Sequence, residues 1–305
     1  VLGVLTGFAI IATVICVGYA VGRTDLLGEH GRPVLARLVF FVLAPCLLFT
    51  VLADASVGDL FSPLLAVSAG AALLTFAVHA LVARLAWRRG TSETVVGALS
   101  AGYVNANNIG IPVAVYVLGD PAYAAPVVLV QLLVFAPLGL AVLDAQARGR
   151  VSVGRLVTQP LRNPIIVGSA LGLLVAVTGV AVPAPVMEPF RIVGAAAVPL
   201  MLIAYGISLH GQRVLQPGSD RRDVVLASTL KLVVMPCLAW AAGRALGLSA
   251  HELFVVVALA SLPTAQNVFV YAQRYGRGEV LARDTIFVTT LGAAPVLVVV
   301  AALLR

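Results

Sequence analysis

The sequence predicts an all-α polytopic membrane protein: ten transmembrane helices in two inverted five-helix repeats, with helices four and nine broken inside the membrane. Three observations predict it. Of 305 residues, 61% are apolar and 11% charged, with a mean hydropathy of +1.05, against roughly 25% charged in a soluble domain. Apolar stretches near the roughly 20 residues needed to cross a bilayer recur ten times. The basic residues fall on alternate connections, as they do when helices pass back and forth through a membrane.

The ten segments run over 1–21, 33–53, 63–84, 94–118, 122–143, 163–182, 185–209, 223–244, 252–273 and 282–304. Glycine and proline recur within them, as expected for spanning helices packed on one another. One set of connections carries Arg23, Arg32, Arg84, Arg88, Arg89, Arg148, Arg150, Arg155, Arg162, Arg213, Arg221, Arg222, Arg274, Arg277 and Arg283. That is 15 of the 20 cations; the opposite side has Arg191, Arg244 and Arg305, and Arg37 and Lys231 lie within segments. The Arg-rich side is therefore cytoplasmic and both termini face outward. The net charge of +7 is explained by this distribution, without a nucleic-acid partner. Cys16, Cys46 and Cys237 are isolated in apolar stretches and read as packing residues, not as a disulfide or metal framework.

The longest polar connection, 144–162, divides the chain into 1–143 and 163–305. An offset of 159 carries Glu93 onto Glu252, Ala106 onto Ala265, Asn108 onto Asn267 and Gly119 onto Gly278, and sets Asn107 against Gln266. An offset of 154 carries Arg37 onto Arg191 and Pro45 onto Pro199. Each half has five segments, an odd number, so the second enters the bilayer from the opposite side. Inverted repeats of this kind are the architecture of many secondary transporters, and matched interrupted helices mark the binding site in them.

Segment four contains Asn105, Asn107, Asn108 and Pro112, and segment nine contains Pro263, Thr264, Gln266 and Asn267. Proline removes a backbone donor and clashes with the turn before it, so both helices are expected to break, Pro112 being read as one breaker. Broken backbone in a membrane survives only where protein or a water-filled cavity shields it. The free N–H end of a half-helix favours anions and the free C=O end favours cations. The amides add donors and acceptors without fixed charge, a set suited to a carboxylate, or to an anion and a cation together. The plain alternative is that they only join helices to one another.

Lys231, the single lysine, could neutralise an anionic substrate or carry a coupling proton, or else snorkel to the interface. Gln131 and its repeat mate Thr290 could line a cavity or bond within their helices. Arg37 and Arg191 are expected to anchor at the interfaces, a gate role being the alternative. No zincin, nucleophile-elbow or phosphate-loop motif is present, so the chain is not expected to be an enzyme or to need a cofactor. No metal framework is expected, although sodium is a possible ligand.

Several of these residues resemble the auxin efflux carrier family of transporters. Asn105, Gly110 and Pro112 fall on the Asn, Gly and Pro of that family's GNTGFxGxP run in helix four, while Asn107 and Asn108 depart from it. Pro263, Asn267, Ala272, Tyr275 and Gly276 resemble its helix-nine run P-A-x-N-x-x-x-x-A-x-x-Y-G, with Pro263 and Asn267 one residue further apart. Lys231 with Pro236 resembles its K-x-x-x-x-P, and Asn163, Pro164 and Pro45 also fit. The resemblance implies a fold similar to bile-acid/sodium symporters, with helices four and nine crossing at their breaks. It implies transport of small organic anions such as malate, malonate or auxin, elevator-like motion of a core bundle against a scaffold, and a homodimer in a bacterial inner membrane. Drive by the membrane potential, H+ or Na+ is open. A sodium-coupled bile-acid-type symporter and a non-transporting receptor on the same scaffold are the rival readings.

Overall fold

A computed structural model describes residues 2–28, 30–54, 63–148, 163–210 and 221–304. Most of the expected linker, 149–162, lies outside the described residues, as do Arg150, Arg155, Arg162, Arg213 and Arg305. The described residues are helical, and the only strand-like pairing among them is one isolated bridge. The helices are α1 (Leu2–Arg23), α2 (Pro33–Ala53), α3 (Pro63–Ala86), α4 (Thr91–Gly102), α5 (Ala106–Leu118), α6 (Pro121–Ala147), α7 (Pro164–Thr178), α8 (Ala184–Ile207), α9 (Arg221–Ala245), α10 (Ala250–Ala260), α11 (Gln266–Tyr275) and α12 (Glu279–Leu304). Six of them, α2, α3, α6, α8, α9 and α12, are long and apolar enough to cross a membrane, and the shorter ones are mostly apolar.

Sequence pattern decides which face each helix buries. On α3, Val67, Ala71, Thr75 and His79 recur at helical spacing and are buried, while Leu74, Val78, Leu81 and Leu85 are exposed along the other face. Exposed leucine and valine suit lipid, and the small inner residues let neighbouring helices approach. The half-helices α4 and α10 are buried almost all round, through Val96–Gly102 and Leu253–Ala260, which places them inside the bundle.

Two groups of helices pack among themselves. In one, α1 lies along α8, and α2 lies along α7 and α8. Glycine permits two of these contacts. A Cβ on Gly18 would stand 2.3 Å from the Ile203 carbonyl oxygen, and one on Gly172 would stand 2.4 Å from that of Phe49. The offset of 154 turns Gly18 into Gly172 and Phe49 into Ile203, so each contact is the image of the other. In the second group α3, α4, α9, α10 and α12 pack together, with α6 against α4 and α11 against α12.

The second break lies at Pro263, as expected, but the first lies elsewhere than its proline predicts. The chain leaves α4 at Tyr103 (φ −87°, ψ 103°), well before Pro112, which sits inside the continuous helix α5. The correction has a physical source. A π turn over Ala106–Gly110 precedes Pro112, and a widened turn relieves the clash between the proline ring and the carbonyl four residues back. The arrangement recurs: π turns at Val39–Leu43, Gln131–Phe135 and Leu230–Val234 end two residues before Pro45, Pro137 and Pro236.

Candidate functional site

The two breaks meet. Val104 and Thr264 form the antiparallel bridge: the Asn105 N–H donates to the Pro263 carbonyl at 2.8 Å, and the Ala265 N–H to the Tyr103 carbonyl at 3.0 Å. An offset of 160 exchanges these two bonds. The flanking starts and stops keep the offset of 159. Glu93 accepts from the Gly90 N–H at 2.9 Å and Glu252 from the Ser249 N–H at 2.8 Å, and the left-handed glycines Gly119 (φ 90°) and Gly278 (φ 65°) follow the second arms. The first half thus carries one residue more after the bridge, and the second half one more before it.

The C-terminal ends of both half-helices left open by the breaks find a partner. The carbonyl of Ser100, near the end of α4, accepts from the Thr264 hydroxyl at 2.6 Å, and the Thr264 N–H donates to Thr289 Oγ1 at 3.1 Å. The carbonyl of Ala260, at the end of α10, accepts from Lys231 Nζ at 2.7 Å. At the start of α5, Asn105 Oδ1 accepts from the Asn108 N–H at 3.2 Å, and Asn107 Nδ2 donates to Asn108 Oδ1 at 3.1 Å. Asn105 Nδ2 and Asn107 Oδ1 are buried with no hydrogen-bond partner among the described residues. Asn267 hydrogen-bonds the Tyr103 phenol, which also bonds Tyr271.

A cavity of ≈ 890 Å³ lies between the two helix groups. From the α5 and α11 side it is lined by Asn105, Asn107, Asn108, Gln266 and Asn267, and from α6 by Gln131. Across it stand Arg37, Phe40 and Phe41 of α2, and Met201 and Tyr205 of α8. The first residues of α5 and α11 open on this space, so both positive helix ends face it. None of the described residues lining it is acidic. Its chemistry is therefore amide donors, helix N-termini and one guanidinium, which suits an anion. Among the described residues no group of three or more His, Cys, Asp or Glu is placed to hold a metal ion.

The residues singled out from sequence separate into two sets. Asn105, Asn107, Asn108, Gln131, Gln266 and Asn267 line the cavity. Pro112, Pro263, Thr264, Lys231 and Thr290 do not; the first four are buried behind it, and Thr290 accepts from the Tyr205 hydroxyl at 2.6 Å. Arg37 is the cavity's cation, which sequence reasoning placed at an interface. Its mate Arg191 is on the surface, 3.0 Å from Asp54. Their common position in an apolar segment marks both as unusual, but only packing separates their roles.

Comparisons with known proteins identify the family. The family model described as "Membrane transport protein" matches residues 4–153 and 146–301. The chain is 27% identical over 289 residues to a protein of Rhizobium meliloti (strain 1021) named "Putative malonate transporter", covering 91% of this chain and 88% of that one. It is 23% identical over 292 residues to the "Uncharacterized transporter YfdV" of Escherichia coli (strain K12), covering 92% and 91%. An uncharacterized transporter of Methanothermobacter thermautotrophicus is 26% identical over 289 residues, covering 92% of each. With its multi-pass helices and a match spanning both halves, the chain belongs to the membrane transport protein family of auxin efflux carrier-like transporters.

Proposed function

We propose that this membrane transporter is a secondary carrier of small organic anions, carboxylates first, and not an enzyme. The observation that carries the reading is the cavity in which two chain breaks, five of the six lining amides and Arg37 face one another without a single acidic group among the described lining residues. A carboxylate there accepts N–H bonds from Asn107, Asn108, Gln266 and Asn267 and from the open ends of α5 and α11, and its charge is met by Arg37. The name of the Rhizobium relative makes malonate the first dicarboxylate to try, and the cavity has room for longer ones.

The mechanism we infer is alternating access of elevator type. The group of α1, α2, α7 and α8 is the scaffold, and the group holding the crossing is the moving core. Ten spans in two inverted repeats, 1–143 and 163–305, are supported by the mirrored glycine contacts, the matched helix starts and the bridge. The same reading places the protein in a bacterial inner membrane with both termini outside, and a homodimer is compatible with it. An anion leaving a negative-inside cell gains about 2.3 kcal/mol per charge per 100 mV, so the membrane potential alone can drive efflux; H+ and Na+ are the alternative couplings.

The test is thermal stabilisation of the purified protein by mono- and dicarboxylates, followed by flux in proteoliposomes. A bound carboxylate raises the melting temperature through linkage. If no carboxylate stabilises the protein and none crosses the liposome membrane, the reading fails; binding without flux would leave the receptor reading in its place.

A further inference from the structure

We propose that the groove between α9 and α12, on the side of the protein where both helices end, holds one acyl chain of an anionic phospholipid, with the lipid phosphate at Arg244. The site is separate from the anion cavity and does not depend on what that cavity carries.

Both helices are long and apolar enough to cross a membrane. They run side by side in one direction, since Val224, Ala227 and Leu230 of α9 pack with Leu281 near the start of α12. They touch as far as Leu232: a Cβ on Gly292 would stand 2.5 Å from Leu232 Cδ1. Beyond that point they part. Pro295 lies inside α12 just past the parting, and an interior proline bends its helix. The half-helix α10 packs on both, and its buried Val257 is the floor of a groove of ≈ 670 Å³. The groove runs from Leu232 to Trp240 along α9 and from Pro295 to Leu304 along α12. At 1.5 Å per residue its walls are about 12 to 14 Å long, close to the roughly 15 Å of hydrocarbon in one leaflet.

That depth selects the occupant. A second copy of the chain, or a partner helix, would lie along the full span of about 30 Å, whereas the groove stops where α9 meets α12. An acyl chain enters from one leaflet and ends at its middle. Among the described lining residues, Cys237 and Trp240 are the only side chains with a heteroatom, so the interior suits hydrocarbon. Trp240 stands half-exposed towards the open end, and tryptophan is enriched at headgroup level. Arg244 follows one turn later on the same face of α9. It is exposed and has no ion pair among the described residues, and a guanidinium in that place pairs with a lipid phosphate. The nearest acid in the sequence, Glu252, already accepts from the Ser249 N–H at 2.8 Å, so the rim favours a net negative headgroup over a zwitterionic one.

The experiment uses the full chain, purified in detergent, stripped of lipid and offered equal amounts of phosphatidylglycerol and phosphatidylcholine. Native mass spectrometry then counts what stays bound. Wild type is expected to keep one phosphatidylglycerol per chain and to prefer it about fivefold, the scale of one arginine beside an anionic headgroup. Arg244→Gln is expected to bring the two lipids to parity. Val299→Trp and Leu303→Trp each plug the groove from an exposed position, which spares the packed core, and each is expected to lose the bound lipid. Leu74→Trp, on the exposed face of α3, is expected to keep it. A wild type that holds no lipid, or holds both lipids equally, overturns the proposal. So does Arg244→Gln with its preference intact, or either plugged variant with its lipid intact. Loss of lipid from Leu74→Trp as well overturns it too, since the lipid would then be a general coat. A wild-type dimer that the plugs turn into a monomer gives the groove to a second copy and overturns it in the same way.

Discussion

Near the end of α4 the Ser100 carbonyl takes a hydrogen bond from the Thr264 hydroxyl at 2.6 Å; at the end of α10 the Ala260 carbonyl takes one from the Lys231 ammonium at 2.7 Å. The donors come from different places. Thr264 belongs to the opposing break, so the first arm is closed by its partner across the bridge. Lys231 projects from a π turn of α9, so the second arm is closed by a neighbouring helix and by a charge. The two arms share one geometry, and the difference between them is the donor: one break is locked by a hydroxyl of the opposing break and the other by the lysine Nζ of a neighbouring helix.

The largest expected effect tests what the two arms share. Asn108→Ala and Asn267→Ala each remove a cavity amide at matched positions, and each is expected to lower carboxylate flux on the order of 100-fold while the protein still folds. Equal flux in wild type and both variants would remove the crossing from the transport site. Next comes the difference between the arms. Lys231→Met is expected to cost about 2–3 kcal/mol and Thr264→Val about 1–2 kcal/mol, since bonds from charged donors are the stronger ones; unfolding midpoints measured side by side decide it, and equal costs would make the charge irrelevant. A smaller effect separates the paired arginines. Arg37→Ala is expected to weaken carboxylate binding about tenfold, the scale of one charge-assisted contact, whereas Arg191→Ala leaves the affinity as it was; calorimetric titration of the two variants reads this. The smallest concerns the helix starts. Ser249 Oγ accepts from the Glu252 N–H at 3.3 Å, and Gly90 has no hydroxyl to do the same for α4. Gly90→Ser is expected to add a few tenths of a kcal/mol and Ser249→Ala to remove about 1 kcal/mol, both seen as shifts in melting.

Much of this was legible in the residues because a bilayer imposes a fixed length on its helices. The expected segments 33–53 and 63–84 differ little from Pro33–Ala53 and Pro63–Ala86. The breaks were legible because amides and prolines are out of place in lipid. Pro263 marked the position of the second break, but Pro112 did not mark the first, because it is locally a helix breaker and only the π turn before it removes the clash. Arg37 and Lys231 were indistinguishable in kind, each a lone cation inside an apolar segment. Which of them reaches the cavity and which turns to the α10 end depends on how α2 and α9 are rotated against their neighbours, and that is set by packing across the whole bundle. The shift from 159 to 160 at the bridge was likewise hidden, since one residue gained before the crossing and lost after it leaves both ends aligned.

The π turns that precede Pro45, Pro112, Pro137 and Pro236 have a consequence for insertions and deletions. Removing one residue from an ordinary spanning helix rotates everything beyond it by about 100° and turns its lipid face inward. A π turn is a helix that already holds one residue to spare, kept there by the proline that follows. Deleting a residue from Leu230–Val234 together with Pro236→Ala would return α9 to regular winding with its two ends still facing as they do now. At these four places the protein is expected to tolerate a change in length that a regularly wound stretch of its helices would not.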